Sequence, residues 1–307
     1  MIALVNRVFC SGIYRPMRRI PLALLVAVTG IAQQPPERPL PELAPFLQEV
    51  RKHLRSDRLL LSQYTYTART TERELDAKGN TKKTDVEVYE VYPSLEEGET
   101  HERLIERNGK PVDPKELAKK DREHEKKAAE RARKLEREGT SEREKRLAKE
   151  AEERRKEDEA IDEMFRLYQI EMLGREELEG HSTIVLRFAP RPDFQTRTDS
   201  GKILKKLAGR AWINESDHEL IRIEAELIDN LSFGMGVLAR LNKGAKAYFQ
   251  RRRVNGEIWL PAEARFTGTG RLLLLKGLRV DQSMEFSDYR KFTVETSVSY
   301  PSAKDPE

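Results

Sequence analysis

Five histidines, one cysteine, a glycine pair and an arginine triplet are the residues of this 307-residue chain with chemistry to offer. Their spacing assembles no catalytic or metal-binding set. His53, His101, His124, His181 and His218 stand singly in the sequence, whereas a zinc site needs ligands a few residues apart and nucleophilic catalysis needs a base beside its nucleophile. No G-x-S-x-G elbow, no H-E-x-x-H and no P-loop run occurs. The sequence therefore predicts a protein that is not an enzyme, with no metal site and no cofactor.

Three runs offer binding instead. Gly234-Met235-Gly236-Val237-Leu238-Ala239 fits the loose G-x-G-x-x-A dinucleotide pattern, which works only where a strand enters a helix in a parallel βαβ unit. Here the following residues lead toward antiparallel strands, so the run reads as a strand-connecting loop. Its Phe233, Met235 and Leu238 are either core or an apolar lip over a pocket. Arg251-Arg252-Arg253 sits late in a strand, where alternate side chains point to opposite faces. The triplet is a solvated sheet edge or a recognition point for an anionic headgroup or acidic partner. Leu272 to Leu275 puts leucine on both faces of one strand, which requires a covering helix or an apolar cavity. Trp212, Phe233, Met235, Leu273 and Leu275 are accordingly the candidate ligand-binding lining, with acyl methylenes contributing about 0.8 kcal/mol each on burial.

The address comes from Met17-Arg18-Arg19 and the charge-free run Ile20 to Ala32. A basic start, about a dozen apolar residues and small residues at Gly30 and Ala32 are the pattern of a secretory signal peptide. The run is shorter than the roughly 20 residues a spanning helix needs; an uncleaved anchor is the alternative. The expected mature chain begins near Gln33, is soluble and lies in the periplasm or is otherwise exported, with translation starting at Met1 or at Met17. Arg7, Arg15, Arg18 and Arg19 precede the cut, so 53 of the 57 basic residues remain against 53 acidic ones. That balance removes the argument for a nucleic-acid partner. Cys10 leaves with the leader, which excludes disulfides and thiol chemistry from the mature chain.

The elements that must position these residues follow from periodicity. Leu43, Phe46, Leu47, Val50 and Leu54 mark a helix over Pro41 to Asp57. Strands are predicted at Leu59 to Leu75, Thr84 to Tyr92 and His101 to Arg107, with turns at Asp76 to Asn80 and Asn108-Gly109. Asp113, Pro114 and Glu116 then form a helix start with a capping-box pattern. From Lys115 to Glu159 most residues are charged, with opposite signs often three or four apart, and Gly139-Thr140-Ser141 divides the run into two helices. Beyond Leu167 the period changes to strands: Tyr168 to Leu173, Glu176 to Glu179, His181 to Ala189 and Gly209 to Asn214. A short helix is read around Lys202 to Leu207. Leu220 to Asp229 alternates between an apolar and a charged face, and Lys243 to Val254, Glu257 to Phe266, Gly270 to Val280 and Met284 to Val298 complete a meander. Asn255-Gly256 marks its tightest hairpin.

The organisation is thus a leader (1–32), a helix with the first strands (33–112), a charged helical insertion (113–165), the remaining strands of the same β domain (166–300) and a tail (301–307). Four runs stand out: Gly174-Arg175-Glu176 with Glu179-Gly180, Gly209-Arg210-Ala211-Trp212-Ile213, Val254-Asn255-Gly256-Glu257-Ile258-Trp259-Leu260-Pro261 and Phe286-Ser287-Asp288-Tyr289-Arg290-Lys291-Phe292. Together they resemble the outer-membrane lipoprotein-sorting family of LolA-like and RseB-like periplasmic proteins. The resemblance implies an α+β fold in which a curved antiparallel β-sheet, an open half-barrel, wraps helices around an apolar cavity for acyl chains or a lipoprotein. Two functions follow: a non-enzymatic lipid or lipoprotein carrier, or an envelope interaction or sensor protein that meets a protein partner through Lys115 to Glu159.

Overall fold

Alternating apolar and polar residues build one open antiparallel sheet, seen in a computed structural model that describes residues 38–54, 60–76, 78–94, 100–233, 239–272 and 276–292. The leader, the tail, Met235, Leu238, Leu273 and Leu275 lie outside the described residues. The strands are β1 (Tyr64–Leu75), β2 (Thr81–Pro93), β3 (Thr100–Arg107), β4 (Lys110–Pro111), β5 (Tyr168–Leu178), β6 (His181–Pro190), β7 (Leu207–Asn214), β8 (Leu220–Leu227), β9 (Leu231–Phe233), β10 (Ala239–Leu241), β11 (Lys246–Val254), β12 (Ile258–Leu272) and β13 (Lys276–Lys291). Their order is β4-β3-β2-β1-β13-β12-β11-β8-β7-β6-β5, with β9 and β10 attached beside β12. The path ends at β4 and β5, which do not pair with each other.

One face carries the core. Tyr64, Tyr66, Ala68, Val91, Leu260, Ala264 and Phe286 bury together on the β1–β13 half. On the other half α1 (Leu43–His53) lays Phe46 and Val50 on Ile184, Leu186 and Ile213. The helix is shorter at both ends than the apolar spacing predicts, since only this packed stripe holds it. The expected strand from Leu59 begins instead at Tyr64. Leu60 and Leu61 form a helical turn, closed by the bond from Gln63 N to Leu60 O, and pack against the aromatic cluster.

The C-terminal meander also differs from expectation. Three strands were expected over Glu257 to Val298; two long ones are found. β12 runs unbroken through Thr267-Gly268-Thr269-Gly270 because β13 pairs with it throughout, from Glu263↔Glu285 to Leu272↔Lys276, while β10 pairs with its last three residues. A flanking ladder on both sides overrides the weak strand propensity of glycine. The β11–β12 hairpin turns as expected at Asn255 (φ 53°) and Gly256 (φ 70°), the positive-φ pair of a tight type I′ turn. β9 and β10, on either side of the glycine pair, pair antiparallel, whereas dinucleotide binding requires a strand that enters a helix; the pair itself lies outside the described residues.

The charged insertion forms two helices, α2 (Pro114–Glu136) and α3 (Thr140–Leu167). Asp113 caps α2, accepting from Lys115 N at 2.8 Å and Glu116 N at 3.2 Å. The break falls at Gly139, which is itself the cap of α3 and offers it no side chain. A short helix, α4 (Asp199–Leu204), lies three residues earlier than the sequence suggests, because Thr198 caps it through Gly201 N at 2.8 Å. Since α2 follows edge strand β4 and α3 runs into edge strand β5, the insertion joins the two free edges of the sheet.

Candidate functional site

Pairing partners share a face of a sheet and neighbours along a strand do not. Ile213 pairs with Ile184 and packs on α1, whereas Trp212 pairs with Val185 and Arg222. Trp212 is therefore buried on the outer face, away from the helix-packed one. Its Nε1 donates to Glu176 Oε2 at 2.8 Å, and the Arg222 guanidinium lies 5.4 Å from its ring centroid. Phe233 ends β9, and nothing of its side chain is described; Met235, Leu273 and Leu275 fall outside the described residues. Of the leucine run only Leu272 is described, as the last residue of β12.

The arginine triplet is likewise displaced from the solvated edge. β11 lies between β8 and β12, and a bulge at Gln250/Arg251 shifts the alternation. Arg251 is 5 % exposed and donates to Glu219 Oε2 at 2.9 Å; burial pulls its guanidinium down to about 10. Arg252 donates to Phe286 O at 2.8 Å, and Arg253 lies over the Trp259 ring at 5.9 Å.

The four sequence runs that carried the resemblance meet one another in space. Glu176 of the first accepts from Trp212 of the second, and Tyr289 of the fourth donates to Pro261 O of the third at 2.8 Å. Trp259 donates to Asp217 Oδ2 at 2.9 Å and packs edge-on against His181, which follows Glu179-Gly180. These runs are a framework of turns and cross-strand contacts.

Two further charged clusters among the described residues bear on function. The first is the start of α2. Arg103 on β3, 9 % exposed, donates through Nε and Nη2 to the two carboxylate oxygens of Asp121 on α2, each at 2.9 Å, and through Nη1 to Glu90 at 2.9 Å. Beside it the rings of His101 and His124 stack with centroids 3.4 Å apart and planes 13° apart. Burial, reinforced by His124, pushes the His101 imidazole down to about 4.

The second is a cleft of about 220 Å³ at the end of the β5–β6 and β7–β8 hairpins, lined by Arg38, Gly180, His181, Ser182, Asn214, Glu215 and Ser216. Arg175 donates to both Glu215 oxygens, at 2.9 and 2.7 Å, and to the backbone oxygens of Arg38 and Pro39. Arg38 and Ser182 also donate to Glu215. The Arg175 hydrogen bonds chiefly hold the Glu215 carboxyl down to about 2, against the effect of burial. Sequence reading missed Asn214 and Glu215, because a polar pair closing a strand carries no periodic signal; Arg175 appeared only as a turn residue. A second cleft, about 340 Å³, is lined by Thr70, Glu72, Lys83, Asp85, Glu87 and Arg107, so both are polar. Among the described residues no group of three or more His, Cys, Asp or Glu is arranged to hold a metal ion, and no helix is long and apolar enough to cross a membrane.

No family model and no curated protein matches the chain. Among solved structures it is similar to an outer membrane lipoprotein-sorting protein domain from Vibrio parahaemolyticus, with 10 % identity and a TM-score of 0.30 over 82 % of this chain and 93 % of that one. It is also similar to a LolA superfamily protein from Nitrosomonas europaea (10 %, TM-score 0.23, 81 % and 93 %) and to a chain of the Pseudomonas aeruginosa MucA/MucB complex (9 %, TM-score 0.20, 78 % and 92 %).

Proposed function

We propose that this chain is an exported cell-envelope protein that binds a protein partner through its charged helical arm, with the sheet as the frame holding the arm's two ends. The observation that carries this reading is α2, which has no buried residue along its 23 positions and yet is fixed at its start by the two-pronged Arg103–Asp121 contact. Surface that the chain's own core does not use, presented on an anchored element, is available to a partner. Lys119, Lys126 and Arg133 recur every seven residues, flanked by Lys120, Lys127 and Lys134, with Glu116, Glu123 and Glu130 among them, and all nine are exposed. This cation-weighted column suits an acidic partner and is screened by salt.

The carrier reading is the rival, and it would use Phe233, Met235, Leu273 and Leu275. What weighs against it is that the described apolar face is filled by the chain's own side chains, with Leu167, Ile184 and Leu260 all at 0 % exposure. A photo-crosslinking residue in place of Lys126, in cells, is expected to capture one envelope protein. Capture should disappear when Lys119, Lys120 and Arg133 become glutamate. Native mass spectrometry of the mature protein from a periplasmic extract should give an unliganded mass. A stoichiometric acyl-chain adduct with no arm-dependent crosslink would reverse the choice.

A further inference from the structure

We infer that the cleft at the end of the β5–β6 and β7–β8 hairpins is a binding site for a small carboxylate, received by the Asn214 amide and the Arg38 guanidinium. The proposal is independent of the arm. It starts from an unmet donor: Asn214 is 2 % exposed, and its Oδ1 already accepts from Ser216 N and Ser216 Oγ, both at 3.2 Å. The orientation of the amide is thereby fixed, since the Ser216 backbone N–H, which can only donate, demands the oxygen. Asn214 lines the cleft, and its Nδ2 is left buried with no acceptor among the described residues. A buried N–H of this kind favours any acceptor that can reach it.

The obvious internal acceptor is committed elsewhere. Glu215 lines the same cleft, but its two oxygens serve Arg175, Arg38 and Ser182. Arg38 therefore bridges: it touches Glu215 while its side chain stays 69 % exposed, leaving N–H groups for an incoming anion. Arg175 already binds both Glu215 oxygens, so the exposed Arg38 is the guanidinium that the cleft lining offers to an anion. A volume of about 220 Å³ accommodates a group of several heavy atoms, since a water occupies about 30 Å³. An acyl chain exceeds it; the end group of a small acid, or of a peptide C-terminus, fits.

The test is ¹⁵N–¹H titration of the mature protein, following the Asn214 side-chain NH₂ and the Ser216 amide. The probes are acetate, triglycine with a free C-terminus and triglycine amide. Saturable shifts are expected with acetate and free triglycine, and none with the amide. Arg38→Ala, a change at an exposed side chain, should weaken binding roughly tenfold, the worth of one charge-assisted contact. Asn214→Asp retains the acceptors for Ser216 but replaces the donor with a negative charge, and should abolish binding. Acetate binding without any gain from triglycine would assign the site to free small acids; tighter binding of free triglycine would assign it to peptide termini. No saturable shift, or shifts unchanged in both variants, would overturn the proposal and leave Nδ2 to a water alone.

Discussion

The two ends of the helical arm are held by different physics. At its start α2 meets the sheet through an arginine, an aspartate and two stacked imidazoles. At its end α3 is sewn into the core: Leu167 has 0 % exposure and packs with Tyr168, Phe188, Leu204 and Ile223. One turn earlier Glu163, 1 % exposed, accepts from Arg197 N, from Thr198 N at 3.0 Å and from the Thr198 hydroxyl. The fit is close enough that a Cβ on Gly201 would stand 2.5 Å from Glu163 Oε2. The first set is polar, with Glu90 and Asp121 partly exposed, whereas Leu167 and Glu163 of the second are closed off from solvent. An arm mounted this way is expected to loosen first from its start.

The comparison breaks most visibly at the buried end. Leu167→Ala removes a fully buried side chain and should cost about 2 to 5 kcal/mol, read as a lowered urea midpoint for the whole domain. Glu163→Ala should follow at about 2 to 3 kcal/mol, because the Arg197 and Thr198 amides lose their acceptor; Glu163→Gln, which retains one, should cost less. If neither variant moved the midpoint, the end of α3 would not belong to the cooperative unit.

Arg103→Ala acts at the other end. It takes from Asp121 the guanidinium that holds both its oxygens and leaves Glu90 to the Tyr92 hydroxyl, at a cost of about 1 to 3 kcal/mol, but the loss should appear locally. Backbone hydrogen exchange in the first turns of α2 should quicken while the last turns of α3 and β5 keep their protection. Equal loss of protection at both ends would mean that the arm opens as one body.

How far the sequence foretold this divides along the same line. Strands with one apolar face, such as Ile221, Ile223, Ala225 and Leu227 on β8, were legible because burial imposes a period. So were the α2 cap and the Asn255-Gly256 turn, where one residue type satisfies one local geometry. The contacts that mount the arm were not. Arg103 finds Asp121 across eighteen positions and Glu163 finds Thr198 across thirty-five, and a charged residue reads the same in sequence whether solvated or paired. Trp212 illustrates the converse: its apolar character announced burial but not the face, which the register with Arg222 decides.

The finest test of the difference is pH, because acid loosens the two ends in different windows. His101 is held down to about 4 by burial and by His124, with Asp121 opposing and Arg103 assisting; Tyr92 is its register partner on β2. Its folded-state value lies below the ordinary 6.5. Its stabilising contribution is therefore complete above 6.5, is lost as pH falls from there toward 4, and changes no further below. At the other end burial opposes the Glu163 charge, but the bonds from Thr198 and Arg197 outweigh it and hold the carboxyl below its ordinary 4.5. That contribution is present above 4.5 and is lost only as pH falls through the lower folded value. Between pH 6.5 and 4.5, then, exchange in the first turns of α2, corrected for its intrinsic pH dependence, should quicken a few-fold while that in the last turns of α3 holds. His101→Phe should remove the acid sensitivity at the start of the arm and leave the end untouched; a pH response that survives this substitution would place the proton elsewhere in the joint.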